Sequence, residues 1–315
     1  MPMIGVYFDQ AKNYLPAVRA ALLKCDPALE VVDWSEALTV PDRVDYVFVW
    51  RPPAGDLKKF TSLKAIFSAA AGVDHIVRHD PDWPVHVPLI RMGDGDTALL
   101  MGDYVLWACL TLLRGAHAWA LQQQAREWKR EVVTRPSGSC TVSVLGLGHL
   151  GGRVATHLRD AGFGVRGWSR RPHTMDGIAC FAGPDELDHA VRDADFVVCL
   201  LPDTPSTSGI LNARLFSLFA PGAGVINVGR SSHLVEADLI ARLDDGHLGG
   251  AVLDVFDVEP LPAASPLWSH ARITITPHVA SQASIGSRMA YVVEAMRQLN
   301  RGEMSPLAYD AQRGY

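Results

Sequence analysis

The sequence predicts an α/β protein built from two doubly wound parallel-sheet domains, and three observations carry that prediction. Short β-type runs alternate with helical patterns from the first residues onward, as strand–helix units on a parallel sheet do. The same alternation restarts after a long apolar helix and a polar, basic stretch from Trp119 to Ser139. The chain's 315 residues, 48% hydrophobic and 20% charged, suffice for two globular domains of ordinary size.

In the first domain Met3 to Tyr7, Leu29 to Val32, Val44 to Trp50 and Lys64 to Phe67 read as strands, with helical segments such as Leu15 to Lys24 between them. This region runs to about Arg91. A helix is expected from about Thr97 to Ala118. Its most apolar part, Ala98 to Leu113, reads as a buried helix, too short for a bilayer and interrupted by Asp103. In the second domain the strands are Thr141 to Leu145, Gly164 to Trp168, Phe196 to Leu200, Gly224 to Val228, Ala251 to Val255 and Ile273 to Thr276. The last helix carries Ile285, Met289, Val292, Met296 and Leu299 at spacings of three or four, an amphipathic stripe. Coming after the second sheet is complete, it is expected to return to the first. The expected domains are therefore 1–96 with 283–315, and 97–282, with a cleft between them.

Composition excludes several classes of function. A net charge of −5 is too mild for nucleic acid as the main partner. The five cysteines, Cys25, Cys109, Cys140, Cys180 and Cys199, form no CxxC pair and no metal-ligand cluster, so they read as reduced, packed thiols, and no metal is expected. The N-terminus MPMIGVYFDQ has no basic region and meets Asp9 early, unlike a signal peptide. A cytoplasmic location, with no membrane partner, is the expectation.

The strongest local motif is Gly146-Leu147-Gly148-His149-Leu150-Gly151. It follows an apolar strand, opens a helix running to about Ala161 and leads into another strand, the setting a dinucleotide fingerprint requires. Gly146 permits the tight turn, Gly148 lets backbone approach a pyrophosphate, and Gly151 allows close helix–strand packing. The helix N-terminus, with His149 and Leu150, offers free N–H groups to the phosphates. A site for NAD usually places an acid about 20 residues past the first glycine. Here that place reads Trp168-Ser169-Arg170-Arg171. A hydroxyl and two arginines suit a ribose 2′-phosphate, which an acid would repel, so NADP(H) is expected over NAD(H).

Three further segments fall at the carboxyl ends of expected strands, where open α/β sheets bind ligands. They are Ile226-Asn227-Val228-Gly229-Arg230-Ser231, Leu253-Asp254-Val255-Phe256-Asp257-Val258-Glu259-Pro260 and Thr276-Pro277-His278-Val279-Ala280. The order of GxGxxG, a strand ending in N-x-x-R, then L-D-V-F-x-x-E-P, then T-P-H, resembles the D-isomer-specific 2-hydroxy acid dehydrogenases over nearly the whole chain. Trp168-Ser169-Arg170, Pro266-Leu267-Trp268, Ala71-Gly72-Val73-Asp74 and the terminal Arg313-Gly314-Tyr315 are similar to its glyoxylate/hydroxypyruvate reductase A branch. The resemblance implies a Rossmann-type cofactor domain plus a flavodoxin-like substrate domain. It departs at Ser231 and Ser232, where the family commonly has glycine after the arginine.

Reducing a 2-keto acid requires a fixed cation for the carboxylate, a hydride donor over the carbonyl carbon and a proton donor for its oxygen. Arg230 suits the first task, its planar fork binding carboxylate and polarising the carbonyl. His278 suits the last, because an unperturbed imidazole titrates near pH 6.5. Glu259 is expected to pair with His278, orient its ring and favour the imidazolium. The resemblance implies the same three roles, and adds contact between Asp254 and the nicotinamide amide. The loop Leu201-Pro202-Asp203-Thr204-Pro205 follows a strand and is expected to border the cofactor, as is Val228. On the substrate side, Ala71 and Gly72 lie in a small-residue loop whose accessible N–H groups suit a carboxylate, a role the resemblance also assigns. Trp50 is expected to wall the pocket or to sit in the core, and Arg91, Met92 and Met101 are weaker wall candidates.

The leading reading is NADPH-dependent reduction of glyoxylate or hydroxypyruvate. The alternatives are an NAD-linked phosphoglycerate-type dehydrogenase and a dinucleotide-sensing binding protein on the same fold. The helix Ala98 to Leu113 shows Leu106, Trp107 and Leu110 on different faces, more apolar surface than one domain needs, which suggests a homodimer as in relatives.

Overall fold

The computed structural model describes residues 1–9, 14–93, 95–130, 135–311 and 314. Arg313 and Tyr315, used above for the resemblance, lie outside the described residues, as does 131–134 of the basic stretch. The chain divides into two compact units, Met1–Thr97 with Ala283–Tyr315, and Ala98–Gln282.

The first unit holds β1 (Met3–Phe8), α1 (Tyr14–Cys25), β2 (Glu30–Asp33), α2 (Trp34–Thr39), β3 (Tyr46–Trp50), β4 (Ala65–Ser68), α3 (Asp74–Val77) and β5 (Leu89–Ile90). Its five-stranded sheet has the order β2-β1-β3-β4-β5, with every pair parallel. That is the flavodoxin-like order, whose switch point lies between β1 and β3. Tyr46, Val47, Phe48 and Val49 of β3 are all completely buried, because a central strand of a doubly covered sheet has no solvent face. The closing helix, Ile285–Asn300, is capped by Ser284, whose Oγ accepts from the Ser287 N–H at 3.1 Å. It sends Met289, Val292 and Met296 into the same core as Val18 and Leu22 of α1.

The second unit contains α4 (Gly95–Arg114, which starts at the boundary), α5 (Ala116–Ala125), β6 (Thr141–Leu145), α6 (His149–Asp160), β7 (Gly164–Ser169) and β8 (Ala179–Ala182). These are followed by α7 (Leu187–Val191), β9 (Phe196–Cys199), α8 (Ala213–Phe216), β10 (Ala223–Asn227), α9 (Glu236–Asp244), β11 (Leu248–Leu253) and β12 (Ile273–Ile275). The closing helix of the chain is thus α10. The seven strands order as β12-β11-β10-β9-β6-β7-β8, all parallel. This is the Rossmann-type order extended by one strand, and it reverses between β6 and β9.

The structure corrects the sequence reading in three places. The helix expected over Thr97 to Ala118 is two helices, broken at Gly115, whose φ of 63° is left-handed. Helix α4 is not buried all round. Val105, Ala108 and Cys109 are fully buried, but Leu99 is 60% and Trp107 43% exposed. By length and composition its Asp96–Arg114 stretch is long and apolar enough to cross a membrane, contrary to the expectation from the shorter segment. Finally, β5 and β8 were not expected. One has two residues and the other is a partly exposed edge strand, so neither carries a clear alternation. Near its end α4 docks through Leu112, which fills a hole left by two glycines of the second sheet. A Cβ on Gly224 or Gly250 would stand 2.7 or 2.9 Å from the Leu112 methyl carbons.

Candidate active site

The turn between β6 and α6 is shaped by what its glycines exclude. Gly146 has a φ of 106°, and a Cβ there would meet the Leu200 carbonyl oxygen at 2.7 Å. A Cβ on Gly151 would fall 1.7 Å from the Gly146 oxygen, so nothing but glycine lets α6 approach the strand. Gly148, by contrast, faces open space, leaving the first amides of a twelve-residue helix approachable. His149 is exposed beside it, and Leu150 is half-buried against the core beneath.

At the end of β7, Ser169 is 8% exposed, and its Oγ donates to the Arg171 carbonyl at 2.7 Å. Its hydroxyl therefore shapes the turn that presents the exposed Arg170 and Arg171. Trp168 is pinned in the core by its Nε1–H, donated to the Gly183 carbonyl at 2.7 Å. No carboxylate follows the strand, which is the chemistry a 2′-phosphate needs. Leu201 and Val228 are core residues, 6% exposed each, so what they offer a cofactor is backbone.

The three segments flagged from sequence follow the adjacent strands β10, β11 and β12. Asn227 ends β10 with no exposure and spends its amide on the next turn: Nδ2–H donates to the Arg230 carbonyl at 3.0 Å and Oδ1 accepts the Gly229 N–H at 3.2 Å. The half-buried Arg230 guanidinium donates to the Gly229 carbonyl at 2.7 Å. Beyond β11, Glu259 Oε1 accepts the Phe256 N–H at 3.0 Å, and Oε2 lies 2.8 Å from His278 Nδ1. A carboxylate at that distance fixes the proton on Nδ1 and leaves Nε2 as the ring's working atom. Burial pushes the Glu259 carboxyl upward. The hydrogen bonds from His278 and Phe256 and the charges of His278 and Arg230 outweigh it and hold the group below the usual carboxylate range.

His278 itself has a φ of 56°, a left-handed conformation costly for any residue but glycine. Asp254, 1% exposed just past β11, holds it there. Its Oδ1 accepts the Thr276 hydroxyl at 2.6 Å and the Val279 N–H at 2.9 Å, and its Oδ2 accepts the Ala280 N–H at 3.0 Å. Because Thr276 spends its proton on Asp254, the Tyr104 phenol, 2.5 Å from Thr276 Oγ1, must be the donor to it. Burial raises the Tyr104 pKa, so this donor keeps its proton. Tyr104 was not found from the sequence; it lies on α4, and no local pattern links it to a loop after β12. Nor was His233, buried in the turn after β10.

In the first unit the loop after β4 is organised by Ser68. Its Oγ lies 2.9 Å from the Ala70 carbonyl and 3.0 Å from that of Gly72, and accepts the Ala70 N–H at 3.1 Å. The amides of Ala71 and Gly72 donate to nothing among the described residues. Trp50, half-buried at the end of β3, stacks on the His75 ring at 4.1 Å. Met92 and Met101 are core residues of different clusters, and Arg91 donates from its backbone to the Leu307 carbonyl at 3.1 Å.

Residues 106–280 match the family model described as D-isomer specific 2-hydroxyacid dehydrogenase, NAD binding domain. The chain is 38% identical over 312 residues to a glyoxylate/hydroxypyruvate reductase A of Yersinia enterocolitica, covering 98% of this chain and 97% of that one. It is 41% identical over 275 residues to that of Photorhabdus laumondii, covering 86% and 88%. Among solved structures it superposes with a TM-score of 0.92, at 36% identity and over 100% and 99% of the two chains, on a D-isomer specific 2-hydroxyacid dehydrogenase from Xanthobacter autotrophicus Py2 in complex with NADPH and MES. The score is 0.90, at 33% identity and 100% of both chains, for an NADPH-dependent glyoxylate/hydroxypyruvate reductase from Sinorhizobium meliloti in complex with NADP and sulfate.

Proposed function

Because the chain belongs to the D-isomer specific 2-hydroxyacid dehydrogenase family, we propose that it reduces a small 2-keto acid, glyoxylate or hydroxypyruvate, to the 2-hydroxy acid with NADPH. The observation that carries this reading is the set Arg230, Glu259 and His278 on the loops after three adjacent strands, with His278 Nδ1 2.8 Å from Glu259. The cofactor fits the residues present. Gly146, Gly148, His149, Leu150 and Gly151 would hold the pyrophosphate against α6, and Arg170 and Arg171, presented by the turn that Ser169 closes, would hold the 2′-phosphate. The backbones of Leu201, Pro202 and Val228 would border the nicotinamide half, and Asp254 would contact its amide. NADPH, when bound, supplies the hydride. The relatives support the choice of cofactor, since the Xanthobacter and Sinorhizobium proteins carry NADPH and NADP. The matching family model is described only as NAD binding, so the choice rests locally on the turn after β7.

In this reading Arg230 binds the substrate carboxylate and polarises its carbonyl. His278 delivers a proton from Nε2 to the carbonyl oxygen while Glu259 keeps the ring aligned. Ala71 and Gly72 offer their amides to the carboxylate, and Trp50 limits the size of the substrate's tail. Residues 1–96 with 283–315 form the substrate-binding domain, and 97–282 the NADP(H)-binding domain. The protein works in the cytoplasm as a homodimer, through the exposed apolar stripe of α4.

The test is a steady-state panel of 2-keto acids against NADPH and NADH. Turnover of glyoxylate or hydroxypyruvate with a higher kcat/KM for NADPH is expected. Comparable values for the two cofactors would overturn the cofactor choice, and NADPH binding without turnover would favour a dinucleotide sensor.

A further inference from the structure

His233 has no solvent exposure at all, and a buried imidazole must find partners for both ring nitrogens. Its Nδ1 lies 3.1 Å from the Arg230 backbone nitrogen, which is a donor, so Nδ1 accepts and carries no proton. The proton is then on Nε2, which lies 3.1 Å from the Pro202 carbonyl oxygen and donates to it. The neighbours thus fix the tautomer. Burial and the charge of Arg230 lower the pKa of His233 against the opposing pull of the Pro202 carbonyl and Asp203, which keeps the ring neutral.

The ring also lies against the main chain of Gly229. A Cβ there would come within 3.0 Å of Nδ1 and 3.1 Å of Cε1. A second tie runs in parallel, with Ser232 Oγ–H donating to Asp203 Oδ1 at 2.8 Å. Both ties join the turn that carries Arg230 to the Leu201–Thr204 loop. Ser232 follows Ser231, which stands where the family commonly has glycine, and its hydroxyl has a structural use here. Pro202 also accepts from Thr207 Oγ1 at 2.7 Å, so its carbonyl is anchored from two sides.

We propose that His233 is a positioning residue that registers the substrate-binding arginine against the cofactor loop, one ring nitrogen serving each. The proposal rests on the reading above, in which Arg230 takes the keto-acid carboxylate and Pro202 borders the cofactor. Two substitutions separate the two bonds. His233→Asn places an amide oxygen near the position of Nδ1, keeping the Arg230 bond and losing Pro202. His233→Gln places an amide N–H near the position of Nε2, keeping Pro202 and losing Arg230.

Steady-state assays of the whole enzyme with NADPH and glyoxylate read the two apart. His233→Gln is expected to raise KM for glyoxylate about five- to tenfold and KM for NADPH less than twofold, which is the scale of one lost hydrogen bond. His233→Asn is expected to raise KM for NADPH two- to fivefold, the smaller effect because Thr207 still holds Pro202, and to leave the glyoxylate KM within twofold. Equal changes in both constants, or a lower Tm with neither constant changed, would overturn the proposal. If neither His233 variant folds, Ser232→Ala decides: a raised KM for NADPH with unchanged KM for glyoxylate supports the clamp, and two unchanged constants sink it. A wild-type chain that binds NADPH but turns over no keto acid removes the reductase reading alone. NADPH affinities of the same variants, weakened in His233→Asn and not in His233→Gln, then still decide the clamp.

Discussion

Replacing Asp254 by Asn tests whether one buried carboxylate holds the loop of His278, the proposed proton donor. The side chain is 1% exposed and accepts three donors, from Thr276, Val279 and Ala280. Asn has a single acceptor oxygen. Its better orientation keeps that oxygen on Thr276 and Val279 and turns –NH₂ toward the Ala280 N–H, two donors facing each other in a dry site. That removes one charge-assisted hydrogen bond, worth about 1.5–3 kcal/mol, and leaves a buried N–H without an acceptor. The expected loss is about 3 kcal/mol, or roughly 6–12 °C in Tm for a unit of this size. The left-handed backbone of His278, which costs on the order of 1–2 kcal/mol, then has less to hold it. Thermal unfolding at neutral pH, paired with kcat on the preferred keto acid, reads both consequences. A Tm within 2 °C of wild type would refute the energetic reasoning, whatever happens to kcat.

Three other outcomes follow from the same geometry. Glu259 titrates below the usual carboxylate range, so its pairing stabilises the fold fully above about pH 4.3 and is lost as pH falls through its lowered value. The Tm gap between wild type and Glu259→Gln should therefore narrow from pH 6 toward pH 3.5, and a gap that widens in acid contradicts the assignment. Gly151→Ala puts a methyl 1.7 Å from a backbone oxygen, whereas Gly148→Ala meets nothing; the first should unfold about 3 kcal/mol more easily and the second keep its Tm while losing NADPH affinity in a fluorescence titration. Equal Tm values for the two would show that the turn does not have this shape. Ser143 sits in the middle of β6 with no exposure and a hydroxyl that finds no hydrogen-bond partner among the described residues. Ser143→Ala should raise stability by about 1 kcal/mol in urea unfolding, and a loss of stability would mean that the hydroxyl has a partner.

What was legible in the sequence was whatever local sterics or strand position encode. The glycines at 146, 148 and 151 could be read because each answers a different local demand. The placement of Arg230, Glu259 and His278 after adjacent strands could be read because each closely follows an apolar run, and parallel sheets present such ends on one edge. The break at Gly115 was not legible, since one glycine in a helix interior costs only about 1 kcal/mol and helices often carry one. Tyr104 and His233 were missed for another reason. One sits in an apolar helix where a tyrosine looks like core, the other in a turn where a histidine looks like surface. Their hydrogen bonds join segments 172 and 31 residues apart, and nothing in composition or periodicity reports such pairings. Ser169 was read as a ligand-facing hydroxyl, but its proton goes to the Arg171 carbonyl, a local turn bond of the kind serine commonly makes.

The buried polar residues at the ends of β10 and β11 explain how Arg230 and His278, the groups proposed for catalysis, can sit on loops and still be held in place. Asn227 and Asp254 are 0% and 1% exposed in a sheet whose neighbouring positions are Val225, Ile226, Val252 and Leu253. A lone amide or carboxylate there would cost several kcal/mol to bury, so each is tolerable only because its polar atoms find partners. Both are used on the loops: Asn227 on the turn of Arg230, Asp254 on the loop of His278. The strand ends are also joined in series, the Asp254 N–H donating to the Asn227 carbonyl at 3.1 Å and the Thr276 N–H to the Leu253 carbonyl at 3.0 Å. An apolar pair at 227 and 254 would avoid that burial cost but orphan the loop groups these side chains pair with, leaving Arg230 and His278 on unanchored loops. The two polar residues therefore use their buried groups to fix the loops that carry Arg230 and His278. The double substitution Asn227→Leu and Asp254→Leu should accordingly lose turnover far more than either position's burial would suggest.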